Sequence, residues 1–155
     1  MKTIKVLLTA LVISGISVSC SSDDDGGNPT GGDLTAKWNQ TKTVTKISSE
    51  TYTEDYEDNS PSCGHDYLEF TDDNEVNFAV WNLNGDLECS ESFATNLAEW
   101  QRDGNTLIIG GTNVYYSGTY EIKRLTGSQL QIQSSSSSGG TTTTTTIYFT
   151  KAAQQ

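Results

Sequence analysis

DYLEFTDDNEVNFAVWN, residues 66–82, contains two short segments on either side of an Asp-Asp-Asn turn. Apolar side chains recur there at every second position, and they are Leu68, Phe70, Val76, Phe78 and Val80. A period of two is typical of a β-strand with one face buried. The stretch therefore predicts an antiparallel hairpin, with Tyr67–Thr71 as its first strand and Glu75–Asn82 as its second.

Similar segments continue on both sides of this hairpin. The turn sequence Asp-Gly-Asn at 103–105 is a strong hairpin signal, and Thr-Gly-Ser at 126–128 predicts a further turn. The predicted strands are Trp38–Ile47, Tyr67–Thr71, Glu75–Asn82, Asn96–Arg102, Thr106–Gly110, Val114–Leu125, a seventh containing Leu130 and Ile132, and Thr141–Lys151. Eight short strands with tight turns predict an all-β fold, either an eight-stranded antiparallel up-and-down barrel or a sandwich.

A low-complexity run of serines, two glycines and threonines covers residues 134–146. Alone it would be compatible with a disordered linker. Threonine favours strands, however, and Ile147-Tyr148-Phe149 follows directly. We therefore predict one long hairpin whose tip is the Ser/Gly stretch.

The first twenty residues have the features of an export signal. Lys2 and Lys5 precede an uncharged apolar run of 13 residues, 6–18, which is shorter than the roughly 20 residues of a membrane-spanning helix. Small residues then lead to Cys20. We predict a lipoprotein signal peptide at 1–19 and a lipid on Cys20. The alternative is an ordinary signal peptide with a cysteine near its end.

Residues 20–33, CSSDDDGGNPTGGD, predict a flexible acidic tether rich in glycine. Its SSDDD start resembles the export signal that Bacteroidota lipoproteins carry after the lipidated cysteine. That resemblance implies attachment to the outer membrane, facing the cell exterior; the alternative is a soluble acidic linker. The barrel domain is predicted at 34–151 and a short tail at 152–155.

The predicted mature chain is strongly acidic. Removing 1–19 takes away two of the nine basic residues, so that seven remain against twenty acidic ones and the net charge is −13. Such a charge argues against a nucleic-acid partner, because phosphate binding depends on Lys and Arg. It also argues against electrostatic docking on anionic lipid, so the predicted membrane contact is the lipid on Cys20.

Cys63 and Cys89 remain after lipidation. An even pair in an exported domain predicts a disulfide, with two free thiols or a metal pair as alternatives. His65 lies close to Cys63, and a nucleophile with its base would use such a pair of residues. Because the disulfide is the simpler use of Cys63, we predict no catalytic residues, no metal site and no cofactor.

The stretch Glu50–Asp58, ETYTEDYED, holds five acidic residues and two tyrosines. Crowded carboxylates can bind calcium, but the spacing of a dedicated calcium loop is absent. We predict a long, solvated acidic loop, and whether it contacts a cation or a partner stays open at this point.

Several short pieces resemble the lipocalin-like domain of Bacteroidota surface lipoproteins. They are LTAKW at 34–38, DYLEF at 66–70 with Cys63 before it, DGNTLII at 103–109, LTGSQL at 125–130 and IYFTK at 147–151. Ala36 stands where lipocalins carry the glycine of Gly-x-Trp. The resemblance implies a closed barrel with a ligand-binding mouth.

Eight strands leave an interior just large enough for side chains or one small ligand. We predict that Trp38 fills the closed end, and that Trp38, Phe78, Trp100 and Tyr120 are the pocket candidates. The first functional hypothesis is a non-enzymatic, surface-anchored protein that binds a small apolar or amphipathic ligand. The alternative is a structural or interaction subunit with a filled barrel that contacts another surface protein or a glycan.

Overall fold

The computed structural model describes residues 30–93, 98–111 and 116–153. All ten elements of this part are strands, namely β1 (Ala36–Ile47), β2 (Glu50–Asp55), β3 (Tyr67–Phe70), β4 (Glu75–Leu83), β5 (Cys89–Phe93), β6 (Ala98–Asp103), β7 (Thr106–Ile109), β8 (Gly118–Leu125), β9 (Gln129–Ser138) and β10 (Thr141–Lys151). No helix long and apolar enough to cross a bilayer occurs in these ranges.

Eight of the strands form a closed antiparallel barrel. Their order is β1-β3-β4-β6-β7-β8-β9-β10, and β10 pairs again with β1 from Trp38↔Lys151 to Ile47↔Thr143. Each pair of neighbours in the barrel is antiparallel. The predicted all-β, eight-stranded up-and-down barrel is therefore confirmed.

Two strands lie outside the barrel. β2 pairs with β1 over Lys42–Ile47, beyond the short contact of β1 with β3. β5 pairs with the C-terminal half of β4, Ala79–Leu83. The prediction of a solvated loop at Glu50–Asp58 was wrong for its first six residues. β1 is much longer than β3, and the rest of its backbone edge takes a partner from the acidic segment.

The Ser/Thr hairpin is more regular than the sequence indicated. β9 runs to Ser138, and its serines pair directly with the threonines of β10. Gly139 and Gly140 alone form the turn, with φ values of 58° and 81°. Two successive positive φ values are typical of a type I′ turn, whose twist matches that of the strands. The predicted long hairpin is therefore confirmed, but its tip is the two glycines, and the prediction was wrong for the serines before them.

The predicted strands Asn96–Arg102 and Val114–Leu125 correspond to β6 and β8. β6 starts at Ala98, and Asn96 and Leu97 lie outside the described residues. β8 starts at Gly118, where φ is 151°. Val114 and Tyr115 also lie outside the described residues, and Tyr116 belongs to the turn before β8.

The hydrophobic core lies inside the barrel. The sequence predicts eleven inward side chains, and nine of them are buried, namely Trp38, Phe70, Phe78, Leu107, Ile109, Ile122, Leu130, Ile132 and Phe149. The other two, Val80 and Trp100, are partly buried against this cluster. We call the end with the β3–β4 and β6–β7 turns the lower end, and the opposite end the upper end.

The segment Thr30–Leu34 closes the lower end. Leu34 is buried in the core, and the Gly32 N–H donates to Leu125 O at 3.1 Å. The Arg102 guanidinium donates to Thr30 O at 2.5 Å and to Gly32 O at 3.1 Å. The last four residues of the predicted 20–33 tether are thus held against the barrel. The signal peptide, Cys20 and residues 21–29 lie outside the described residues.

Candidate functional site

Three of the four predicted pocket residues lie inside the barrel. Trp38 is fully buried, and its indole N–H donates to Leu34 O at 2.8 Å. The Phe78 ring makes an edge-to-face contact with the ring of Tyr116, with centroids 5.3 Å apart. The Tyr120 hydroxyl donates to Tyr116 O at 3.0 Å. These side chains are brought together, but as mutually packed core residues.

Tyr116 fills the upper interior. Its hydroxyl donates to the Gln40 side-chain oxygen at 2.6 Å, and its ring centroid is 6.0 Å from that of Phe149. Burial raises the pKa of Tyr116 well above its ordinary value, and nearby phenol and carboxyl groups act in the same direction. Burial also raises the pKa of Tyr120. Both phenols are therefore neutral packing groups with satisfied hydroxyls at neutral pH.

Trp100 does not join this group. Its ring makes an edge contact with Phe70, with centroids 5.7 Å apart, and its indole N–H donates to Thr71 O at 3.2 Å. The ring also borders an open surface depression of about 420 Å³, whose other lining residues are Asp73, Asn74, Glu99, Gln101 and Arg102. That lining is mostly polar, so it differs from the apolar pocket expected from the sequence.

A buried carboxylate organises the loop at the upper end. Asp66 is 3% exposed, and its carboxylate accepts hydrogen bonds from the Tyr56 hydroxyl at 3.0 Å and the Asn59 N–H at 2.8 Å. It also accepts from the Trp81 N–H at 2.8 Å. The sequence did not single out Asp66, because nothing in DYLEF distinguishes a buried acid from an exposed one. Its role is structural, since the contacts with Tyr56 and Asn59 hold loop 56–66 together and the contact with Trp81 fixes the loop to β4.

The predicted disulfide between Cys63 and Cys89 is confirmed. It joins loop 56–66 to β5, so Cys63 has no thiol for a nucleophile. His65 Nδ1 lies 2.6 Å from Asp58 Oδ2, and its side chain is largely exposed. Among residues 30–93, 98–111 and 116–153, no group of three or more His, Cys, Asp or Glu side chains is arranged to hold a metal ion.

Neither a family model nor a curated protein matches this chain. The closed antiparallel barrel agrees with the fold that the lipocalin-like resemblance implied. Membership of that group stays a prediction, and so do the roles that it implies. Function has to be argued from the surfaces of this protein.

The most extended surface is a four-stranded sheet that projects above the barrel, in the order β2-β1-β10-β9. We call this sheet the extension. The inner face of the extension continues the inward side of the barrel. Ile47 is opposite Thr143 on this face, and Thr45 is opposite Thr145. Because alternate residues of a strand share a face, buried Ile132 lies on the same face further down the sheet. Tyr52, paired with Thr45, is 54% exposed on this face, and Ile47 is partly exposed beside it.

A second exposed region is the β4–β5 hairpin. Leu83, Leu87 and Phe93 are exposed there, and Leu87 sits in the turn with a positive φ of 62°. The disulfide at Cys89 holds the hairpin against loop 56–66. Both strands added to the barrel, β2 and β5, thus expose apolar side chains at its upper end.

Proposed function

We propose that this protein is a lipid-anchored, non-enzymatic interaction module on the outer face of the outer membrane. The observation that carries the proposal is the contrast between a barrel packed with its own side chains and two exposed strands outside it. The predicted lipid on Cys20 and the acidic export-like signal after it support the location. The contact that we propose is with another surface protein or a glycan.

A carrier of a small apolar ligand receives less support. Such a carrier needs interior space next to apolar side chains. Trp38, Phe78 and Tyr120 occupy that space in the described part of the barrel and contact one another or their neighbours. Ligand binding in the barrel stays a prediction from the resemblance.

Native mass spectrometry of the lipoprotein isolated in mild detergent from its own cells tests the proposal. An interaction module is expected to retain a protein chain or glycan of defined mass. Retention of a small molecule, stoichiometric with the barrel, would support the carrier instead and overturn the proposal.

A titration with fluorescent fatty acids provides an independent measurement. We expect no saturable change in tryptophan emission, because the interior side chains of the described strands pack against one another. Saturable quenching that weakens in Trp38→Phe but not in Trp81→Phe would identify a barrel pocket, because Trp38 lies inside the barrel. Trp81 is the matched control because it packs against Gly64 in the loop outside the barrel.

A further inference from the structure

β2 has one free backbone edge. Within residues 30–93, 98–111 and 116–153, β2 pairs with β1 alone, and all of its side chains are exposed. An exposed strand edge is a template on which another strand can pair.

The hydrogen bonds around β1 identify the backbone groups at this edge. Ser48 N–H donates to Thr142 O at 3.3 Å, while Thr41 O accepts from Tyr56 N–H at 3.0 Å. Successive residues of an antiparallel strand bond to opposite sides. From Lys42 to Ile47, even-numbered residues of β1 therefore bond to β10, and odd-numbered ones bond to β2.

The register then fixes which groups of β2 are used. Glu50, Tyr52 and Glu54 are opposite Ile47, Thr45 and Thr43, so their backbone groups bond to β1. The N–H and C=O groups of Thr51, Thr53 and Asp55 point the other way, toward the free edge. An added strand would bond to these groups.

The side chains beside this edge favour a basic partner. On the inner face, Glu50 and Glu54 flank Tyr52, and the residues of β1 opposite the two acids are Ile47 and Thr43, neither of which is basic. Glu50 accepts a hydrogen bond from the Tyr52 hydroxyl. By contrast, Asp55 on the other face is opposite Lys42. The uncompensated charge of β2 is therefore concentrated on one face.

The same charges disfavour the pairing of β2 with a second copy of this chain in the register centred on Tyr52. In an antiparallel β2–β2 pair centred on Tyr52, Glu50 of each copy would be opposite Glu54 of the other. Directly opposed like charges destabilise a strand pair, whereas opposite charges stabilise it. Positions 50, 52 and 54 would form non-hydrogen-bonded pairs with an added strand, and such pairs bring the side chains closest together.

We propose that the free edge of β2 binds an extended segment of a partner protein that carries Lys or Arg at two positions four residues apart, with an apolar residue midway. The basic side chains pair with Glu50 and Glu54, and the apolar residue covers Tyr52. The backbone of the segment bonds to Thr51, Thr53 and Asp55. This inference rests on the proposed interaction function and names the class of partner.

The test uses the full chain with Cys20→Ala and the blocked peptide Thr-Lys-Thr-Val-Thr-Lys-Thr as the probe. We expect saturable binding, together with slower amide hydrogen exchange at Thr51, Thr53 and Asp55. A peptide with Glu in place of both Lys residues should not bind. Equal binding of the two peptides, or binding without protection at those amides, would overturn the proposal.

Two variants separate the backbone contribution from the charge contribution. Thr53→Pro removes an N–H that points to the free edge, and proline is tolerated there because β1 does not use this group. Glu50→Gln with Glu54→Gln should weaken binding about tenfold, as expected for two cross-strand ion pairs. The control is Glu99→Gln with Glu121→Gln, which removes two exposed acids from barrel strands and should bind the peptide like the parent.

A version of the peptide that is N-methylated at its threonines, whose N–H groups would bond to β2, gives a test that does not depend on the folding of Thr53→Pro. Unchanged affinity of this peptide would rule out strand addition. Dimerisation through β2 would assign the edge to a second copy of this chain. A soluble polysaccharide that displaces the peptide and protects the Tyr52 ring would assign the edge to a glycan. If native mass spectrometry detects a bound protein, and this protein also binds the Thr53→Pro variant normally, the interaction function is supported and the β2 site is ruled out.

Discussion

Asp66 and Trp81 are joined by a hydrogen bond in which the backbone N–H of Trp81 donates to Asp66 Oδ1 at 2.8 Å. This contact ties loop 56–66 to the outer side of β4. Asn59 adds to it by donating its side-chain amide to Trp81 O at 2.8 Å. Loop 56–66 is therefore fixed to β4 by the Asp66 carboxylate together with the Asn59 side chain, in addition to the disulfide that joins it to β5.

Asp66→Asn should destabilise the protein by about 2–3 kcal/mol, because an amide nitrogen cannot accept the bonds that the carboxylate accepts and buried donors lose their partner. The measurement is urea unfolding at neutral pH. Asp55→Asn, at an exposed position of β2, is the matched control and should change the free energy of unfolding by less than about 0.5 kcal/mol. Equal effects of the two substitutions would show that Asp66 does not organise the loop.

Removal of the disulfide should lower the free energy of unfolding by about 3–4 kcal/mol in the chain-entropy model. The bond closes a loop between residues 26 positions apart. We expect Cys63→Ser with Cys89→Ser to keep the circular dichroism spectrum of the barrel, because β5 is outside the barrel. Thermal unfolding gives the change. A melting temperature like that of the parent would mean that loop 56–66 is held by hydrogen bonds alone.

Alkaline pH should destabilise the protein through its buried phenols. Tyr116 and Tyr120 have raised pKa values in the folded state, whereas the unfolded chain loses these protons near pH 10. Below about pH 10 both states are protonated; above it the native state holds more protons, so the free energy of unfolding falls as pH rises. Urea unfolding at several pH values measures this slope.

The Tyr116→Phe variant should show a shallower decline above pH 10, although it also loses the bond to Gln40 and is less stable overall. Tyrosinate absorbance of the native parent provides a second readout. If all seven tyrosines of the native protein ionised together near pH 10, the packed upper interior would be contradicted.

The Cys20→Ala substitution should release the protein from the membrane fraction. The two or three acyl chains predicted on this cysteine would anchor the protein stably, and the variant would carry none of them. Detergent-phase partitioning measures the release. Protease treatment of intact cells that produce the parent tests its exposure at the cell surface. Unchanged partitioning of the variant would contradict lipidation, and full protection of the parent would contradict surface display.

Strand order and core were predictable because they depend on local pattern. Alternation at Leu68, Phe70 and Phe78 placed their side chains inward, and burial of an apolar face requires that arrangement. The pairing of Cys63 with Cys89 followed from their number alone. By contrast, β2 was missed because ETYTED has no apolar alternation, and its strand conformation depends on the long unpaired edge of β1.

The amino-acid sequence by itself determined an all-β fold, its inward residues and the pairing of Cys63 with Cys89, because alternation, turn residues and cysteine count act locally or by elimination. It left a barrel and a sandwich open, and closure of the barrel was decided by the tertiary structure. Only the tertiary structure decided that the inward side chains fill the barrel, since available space depends on how all eight strands close. It also decided that Asp66 is buried and that β2 pairs with β1 alone among the described strands. Those properties depend on contacts between residues that are distant in sequence, and a local sequence pattern does not predict such contacts.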